Sequence, residues 1–382
     1  MELGTKELER PPTAGTPRRV ALVHDFLLDV RGAERVFEVM CGIWPEADIF
    51  TAVYDRKGTE GRFEHREVHT TPLQLLRPTA QTFRALLPLY PWAIGTLDLA
   101  DYDLVVSSSS AWAHGVRPAG GATHVCYCHN PFRYAWAERD ATLETRGPLM
   151  RPVLSAVFDR WRRWDASVAL KVDSYVANST FTADRIRRYL NRESTVIHPP
   201  VDVGRFSIGE PGDYYLAVGE LMPHKRFDVI VEAFNRLGRR LIIAGDGPQR
   251  RRLDALAGPT VELVGRVSDA HMEELMRGCQ ALVTCAVEEF GIAVVETLAS
   301  GRPVIAIAAG GVLETVTEGE TGTFFPRSTP AEVAAAVERF DPLAVDPRRC
   351  REAAEVFDVD RFTHRLCTAV QAALDGDRSL RA

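Results

Sequence analysis

Short runs of β-branched residues, bounded by turn residues, alternate with longer helix-period stretches along almost the whole chain, and the alternation runs its course twice. In the first half the short runs are RVALVHD (19–25), DLVVSSS (103–109), THVCYCH (123–129) and SYVANS (174–179), with AERVFEVMCGIW and FTADRIRRYL as helical stretches between them. The second half begins afresh with YYLAVGEL (214–221), RLIIAGDG (240–247), TVELVGR (260–266), ALVTCAV (281–287) and RPVIAIAAGG (302–311). Strands alternating with helices build parallel sheets. The expected fold class is α/β, with two Rossmann-like, doubly wound parallel-sheet domains facing each other across a cleft. Open sheets of this kind bind ligands at the carboxyl ends of their strands. Prolines and glycines in VIHPPVDVGRFSIGEPGDY (196–214) break both periods. The expected organisation is therefore a disordered tail over 1–18, a first domain over 19–200, a hinge linker over 201–212 and a second domain over 213–356. A C-terminal helix over about 357–380 is expected to pack back on the first domain.

At 382 residues the chain is long enough for two cores, and 46% hydrophobic with 26% charged residues is the balance of an ordinary globular protein. A net charge of −6 argues against nucleic acid as a partner, so any anion site must be local. Seven scattered cysteines with no C-x-x-C spacing read as reduced core residues. Residues 1–18 hold no apolar signal segment, and no run reaches the roughly 18 apolar residues of a membrane span, so a cytoplasmic location is expected. LLRPTAQTFRALLPLYPWAIGTL (75–97) mixes leucines, aromatics and arginines. A core helix is its first reading, and a peripheral contact with the inner face of the cell membrane its second.

The most informative stretch is EEFGIAVVETLASGRPVIA (288–306). It reads as a strand-end turn followed by a helix that stops at Gly301, before Pro303. The unbonded amides of Gly291, Ile292 and Ala293 then form an anion site, with the helix dipole adding about 0.3–1 kcal/mol. Glu288 and Glu296 flank it, which suits hydroxyls rather than a second anion, because a carboxylate accepts two hydrogen bonds from a vicinal diol. Phosphate on the amides and hydroxyls on the acids describe a nucleotide sugar. Two acids that merely complement a helix dipole are an equally good reading of this stretch alone. In GELMPHKRFDVIVEAF (219–234), Lys225 and Arg226 precede an amphipathic helix and supply cations for a diphosphate, or else form a solvated surface pair.

Glu288 through Glu296 is similar to the E-x7-E motif of retaining family 4 glycosyltransferases of the GT-B fold, and PHKR (223–226) resembles the phosphate-binding P-x-K-R of that family. HDFLLDVRGAERV (24–36) and YCHNPFRYAW (127–136) look most like the bacterial mannosyltransferases of polysaccharide assembly. The resemblance implies that Glu288 holds the donor sugar and Glu296 the ribose. It gives the backbone of Ile292 and Ala293 to the phosphates, counts Phe290 and Gly291 among the substrate-binding residues beside them, and makes Lys225 and Arg226 the cationic clamp. Gly265, Arg266 and Val267 would line the base pocket, Gly32 and Ala33 would let a loop approach the diphosphate, and His129 would lie near the reacting sugar. Two positions depart from the family: Arg31-Gly32 stands where Gly-Gly is frequent, and Glu220 where an arginine is frequent, so that Arg226 or Arg31 would take over a phosphate contact.

The implied reaction moves a hexose, with mannose from GDP-mannose favoured, to a saccharide or lipid-linked acceptor with retention. The leaving diphosphate oxygen takes the proton, and neither metal nor cofactor is expected beyond the nucleotide sugar itself. Asp101-Tyr102-Asp103 is a literal D-x-D but reads as the turn into a strand. GDGPQR (245–250) has Arg250 where a dinucleotide loop needs its third glycine, which disfavours a dehydrogenase. The competing readings are a UDP-sugar-dependent transferase, a nucleotide-sugar epimerase and a non-catalytic nucleotide-sugar binding protein.

Overall fold

The computed structural model describes residues 19–118 and 120–376; the tail expected over 1–18 lies outside them. The chain divides into two compact units, one running through His198 and resuming at Phe362, the other spanning Pro199–Arg361.

The first unit is built on β1 (Val20–His24), β2 (Asp48–Thr51), β3 (Val68–Thr70), β4 (Leu104–Ser109), β5 (Thr123–Cys128), β6 (Ser174–Ala177) and β7 (Ser194–Val196), in the spatial order β3-β2-β1-β4-β5-β6-β7. The second is built on β8 (Tyr214–Val218), β9 (Arg240–Ala244), β10 (Val261–Gly265), β11 (Leu282–Thr284), β12 (Val304–Ile307) and β13 (Gly322–Phe325), in the order β10-β9-β8-β11-β12-β13. Every pairing in both sheets is parallel. Each sheet steps outward from its first strand and then reverses to the other side, the doubly wound order of the Rossmann fold. The strands absent from the sequence reading, β2, β3, β7 and β13, are three or four residues long. They are too short for a period of two to stand out.

Register carries the fold to the chemistry. His24 on β1 pairs with Ser108 on β4, and Ser108 pairs with Tyr127 on β5, so His129 emerges just beyond the end of β5. The helix Gly32–Ile43 follows β1 and turns Val36, Phe37 and Met40 into the core, its apolar residues recurring at helical spacing.

Residues 201–212 differ from the expected linker. Val201, Val203 and Phe206 are buried in the second unit's core, and the Val201 N–H donates to the Phe357 carbonyl at 2.9 Å. The surrounding prolines and glycines mask three apolar anchors. The helix Val359–Leu374 brings Phe362 to 5.6 Å from the Tyr127 ring, and Arg365 donates to the Val196 carbonyl at 2.8 Å.

The segment over 75–97 is not one core helix. It breaks into 3-10 turns at Pro72–Leu76, Phe83–Leu89 and Ile94–Thr96 around a four-residue helix, Tyr90–Ala93. Pro88 and Pro91 supply no N–H and prevent a continuous ladder. Phe83, Tyr90, Ala93 and Ile94 are buried, while Leu75 is 85%, Leu76 61% and Trp92 60% exposed. Among the described residues no helix is long and apolar enough to cross a membrane.

His124 on β5 is buried, with Nε2 at 2.8 Å from the Ser107 hydroxyl. Burial above all, and then the neighbouring His114, pushes its pKa down to about 3. The unfolded chain protonates such a ring near the ordinary value of about 6.5. Between those values the unfolded state binds the extra proton, so stability falls as pH falls, by up to about 1.4 kcal/mol per pH unit. Urea midpoints compared at about pH 7 and about pH 5.5 should decline less steeply in His124→Gln than in the parent; identical slopes would contradict the assignment.

Candidate functional site

In the second unit the residues of interest sit on loops that leave the carboxyl ends of parallel strands. After β8 the chain makes a single 3-10 turn, Pro223–Lys225, and then enters the helix Phe227–Leu237. After β11 it runs through Glu288 and Glu289 into the helix Ile292–Ala299. The two loops meet: Lys225 Nζ lies 2.8 Å from Glu288 Oε1, with the side chains 21% and 34% exposed. Both line a small pocket together with Val218, Phe227, Thr284 and Ala286. A half-exposed pair of this kind adds at most about 1 kcal/mol to stability, so its interest is chemical.

Glu288 is held in place by a close approach of two backbones. The Gly311 N–H donates to the Glu288 carbonyl at 2.9 Å. A Cβ on Gly311 would lie 2.3 Å from the Glu289 oxygen and 2.4 Å from the Phe290 Cα, and one on Gly310 would lie 2.5 Å from the Glu288 oxygen. Only a glycine pair permits this contact. Phe290 was expected among the ligand-binding residues, but its ring is 3% exposed and packs edge-on against Phe357 at 5.3 Å. The ring anchors the loop, which leaves only the Phe290 backbone for a ligand.

Gly291, at φ 91°, turns the chain into the helix Ile292–Ala299. The Val294 N–H returns to the Gly291 carbonyl at 3.0 Å, which leaves Ile292 and Ala293 at first-turn positions where an α-helix has no acceptor of its own. Glu296 is half-buried one turn further on. Arg205, which sequence reasoning missed, is electrostatically coupled to it. Burial opposes the Arg205 charge, but a hydrogen bond to Glu273 at 2.8 Å, together with Asp269 and Glu296, raises its pKa on balance. Gly265 closes β10, and Arg266 and Val267 follow it in the turn before the helix Asp269–Gly278. Arg226 has left-handed backbone geometry, and its Nε donates to Asp228 at 3.2 Å in the first turn of the helix that follows. Arg31 likewise reaches Asp29 at 3.3 Å.

In the first unit Gly32 and Ala33 open the helix after β1, with Arg31 as its N-cap residue. His129 is 9% exposed, and its Nε2 lies 2.8 Å from Ser108 Oγ. Burial, and then the neighbouring His24, pushes its pKa down to about 3, so the ring is neutral at physiological pH. Beside it, the buried Asp25 carboxylate accepts the N–H groups of Ser110, Ala111, Trp112 and Ala113 at 2.5–3.0 Å. Four charge-assisted bonds compensate for the loss of water and fix the loop after β4. The Asp25, His24 and Ser108 roles were missed; the available signal was polar residues ending otherwise apolar strands, in RVALVHD and DLVVSSS. Asp101 and Asp103 are both bound by Arg19, each at 3.1 Å, just ahead of β4. Among the described residues no three metal-ligating side chains gather at one point.

Two family models match the chain, "Glycosyltransferase Family 4" over residues 30–205 and "Glycosyl transferases group 1" over residues 204–356. The chain belongs to the GT-B glycosyltransferases of family 4 and group 1. The chain is 27% identical over 305 residues to the D-inositol 3-phosphate glycosyltransferase of Mycobacterium sp. (strain KMS), a match covering 73% of this chain and 66% of that one. The matches span about half to two thirds of the length of the curated relatives. Among solved structures, sucrose-phosphate synthase from Thermosynechococcus elongatus is similar with a TM-score of 0.73 at 17% identity, covering 94% of this chain and 100% of that one. HepE of Anabaena, solved in complex with UDP-glucose, has a TM-score of 0.67 at 16% identity, covering 92% and 99%. At such identities the likeness to these two structures is one of fold.

The glycine pair Gly310-Gly311 gives a direct test. Gly311→Ala should destabilise the chain by about 1–3 kcal/mol, because the added carbon meets backbone that must shift. Gly42→Ala, in a helix with nothing within 4 Å of the new carbon, should be neutral or stabilising. Thermal melts should place Gly311→Ala below the parent and Gly42→Ala at or above it, and a neutral Gly311→Ala would show that the loop contact is not tight.

Proposed function

We propose that this glycosyltransferase moves a hexosyl group, with retention, from a nucleoside diphosphate sugar to a hydroxyl of a saccharide or lipid-linked acceptor in polysaccharide or glycolipid assembly. The observation that carries this reading is the Lys225–Glu288 pair beside the start of the helix Ile292–Ala299. Its parts suit the two halves of such a donor. The Lys225 ammonium and the Ile292 and Ala293 amides suit a diphosphate, whose charge grows as it leaves. Carboxylates suit hydroxyls, Glu288 those of the sugar and Glu296 those of the ribose. His129 serves the reacting sugar. The departing diphosphate oxygen takes the acceptor's proton, so the protein contributes position and leaving-group stabilisation, and the reaction calls for neither metal nor further cofactor.

GDP-mannose is the first donor to test, because residues 24–36 and 127–136 resemble mannosyltransferases. A UDP-sugar is the second reading, favoured by the complex of HepE with UDP-glucose, and the name of the mycobacterial relatives makes an inositol phosphate an acceptor to include. A donor panel read by mass spectrometry, with and without acceptors, separates the outcomes. Acceptor-dependent nucleotide release is expected; a new nucleotide sugar without release would indicate an epimerase, and binding alone a non-catalytic protein. Lys225→Ala and Glu288→Ala should each lower kcat/KM by roughly 10²–10³-fold with unchanged melting, and wild-type turnover in both would remove the assignment.

The chain works at the inner face of the membrane in this reading. Residues 72–97 contain no acid, and they expose Leu75, Leu76, Leu89 and Trp92 beside the exposed Arg77 and Arg84. Apolar side chains flanked by cations are what an anionic lipid surface binds. The chain should co-sediment with phosphatidylglycerol vesicles and lose binding in Leu75→Glu/Trp92→Glu; equal sedimentation of the variant would exclude this surface.

A further inference from the structure

We propose that Glu34, His24 and Ser108 form a chain of positioning residues that fixes the tautomer of His129, with the proton on Nε2 and the lone pair of Nδ1 offered to a hydroxyl of the donor sugar. The second half of this statement rests on the proposed function; the first rests on geometry alone.

The chain runs through the interior. Glu34, 7% exposed, uses one oxygen to accept the Arg31 N–H at 3.0 Å and turns the other toward His24 Nε2 at 3.6 Å. His24, 2% exposed, stacks on Phe37 with ring centroids 4.8 Å apart. Its Nδ1 lies 3.0 Å from the fully buried Ser108 hydroxyl, which in turn lies 2.8 Å from His129 Nε2. Among the described residues no protein hydrogen bond is made by His129 Nδ1.

The direction of the chain follows from what each group can donate. A carboxylate only accepts. At 3.6 Å it is too far for a good hydrogen bond, but in a dry interior its charge strongly favours a proton, not a lone pair, on the facing nitrogen. A His24 ring holding a single proton, the form an ordinary imidazole takes at about pH 8, therefore carries it on Nε2 and presents the lone pair of Nδ1 to Ser108. Serine has one proton. Having given it to His24, Ser108 must accept from His129, which places the His129 proton on Nε2 and leaves Nδ1 as an acceptor. The opposite order would set an imidazole lone pair against the Glu34 carboxylate. The His129 ring also stays neutral when buried, so no second proton fills Nδ1 at working pH.

Glu34→Gln is a nearly isosteric reversal. The Arg31 N–H still needs an acceptor, so the glutamine oxygen takes that place and its NH2 faces His24. His24 then becomes the Nδ1–H form, Ser108 donates to His129, and His129 becomes the Nδ1–H form. The test is a two-bond proton–nitrogen spectrum of the full chain labelled with 15N-histidine, at about pH 8, where an ordinary imidazole is neutral. His129 is assigned by its loss in His129→Gln. The expected wild-type spectrum has a pyrrole-type Nε2 and a pyridine-type Nδ1 for His129. The two types should exchange in Glu34→Gln and average in Ser108→Ala. A saturating nucleotide-sugar donor should shift the wild-type Nδ1 resonance. Glu34→Gln should lower kcat/KM by about tenfold, the scale of one hydrogen bond, with nucleotide affinity unchanged. A wild-type His129 protonated on Nδ1, or a spectrum indifferent to Ser108→Ala, overturns the chain. An Nδ1 resonance unmoved by a donor that binds overturns its role toward the sugar while leaving the tautomer assignment standing. Failure of every donor to bind would instead overturn the proposed function.

Discussion

Parallel pairing is the constraint on which the rest depends. When every strand of a sheet points the same way, every strand-to-helix loop leaves from one edge, and residues far apart in sequence are delivered there together. Lys225 and Glu288 meet at 2.8 Å although 63 positions separate their numbers, because β8 and β11 are neighbours in the sheet. His24, Ser108 and His129 are gathered in the same way from β1, β4 and the end of β5. Loop composition then decides the chemistry. In the second unit a glycine pair after β12 lets one loop press against another, and in the first unit Asp25 ties down the loop after β4 through its amides.

Much of this was legible in the sequence. The long apolar runs such as RLIIAGDG and DLVVSSS announced buried parallel strands, because such strands need no alternation. The helix after Gly291 was legible from its punctuation, Gly301 and Pro303 at one end and a strand-end turn at the other. Glu288 and Lys225 stood out because acids and cations directly after strands have no packing reason to be there.

What the sequence hid has physical causes. β2, β3, β7 and β13 fall below the length at which periodicity speaks, whereas β11 and β12, equally short, lie in apolar runs that extend past their paired residues. Proline and glycine in 196–214 suggested a linker, whereas Val201, Val203 and Phe206 bury there as core anchors. The apolar residues of 75–97 suggested a single helix, but prolines divide them into turns that bury some side chains and leave others in water. Phe290 read as a binding residue by position, and burial made it an anchor. The hydrogen-bonded chain behind His129 could not be read in one dimension, since its members are spread over 105 positions and are joined only by register.

The ion pair between the loops after β8 and β11 has a consequence for discrimination. Each member neutralises the other, so a visitor that engages only one strands its counterpart without compensation in a partly desolvated place. Bare pyrophosphate would take the ammonium and abandon the carboxylate; a free monosaccharide would do the reverse. A molecule carrying both an anionic and a polyhydroxylated end satisfies the two at once, and on the proposed reading this turns an unremarkable surface contact into a coincidence detector for an intact donor.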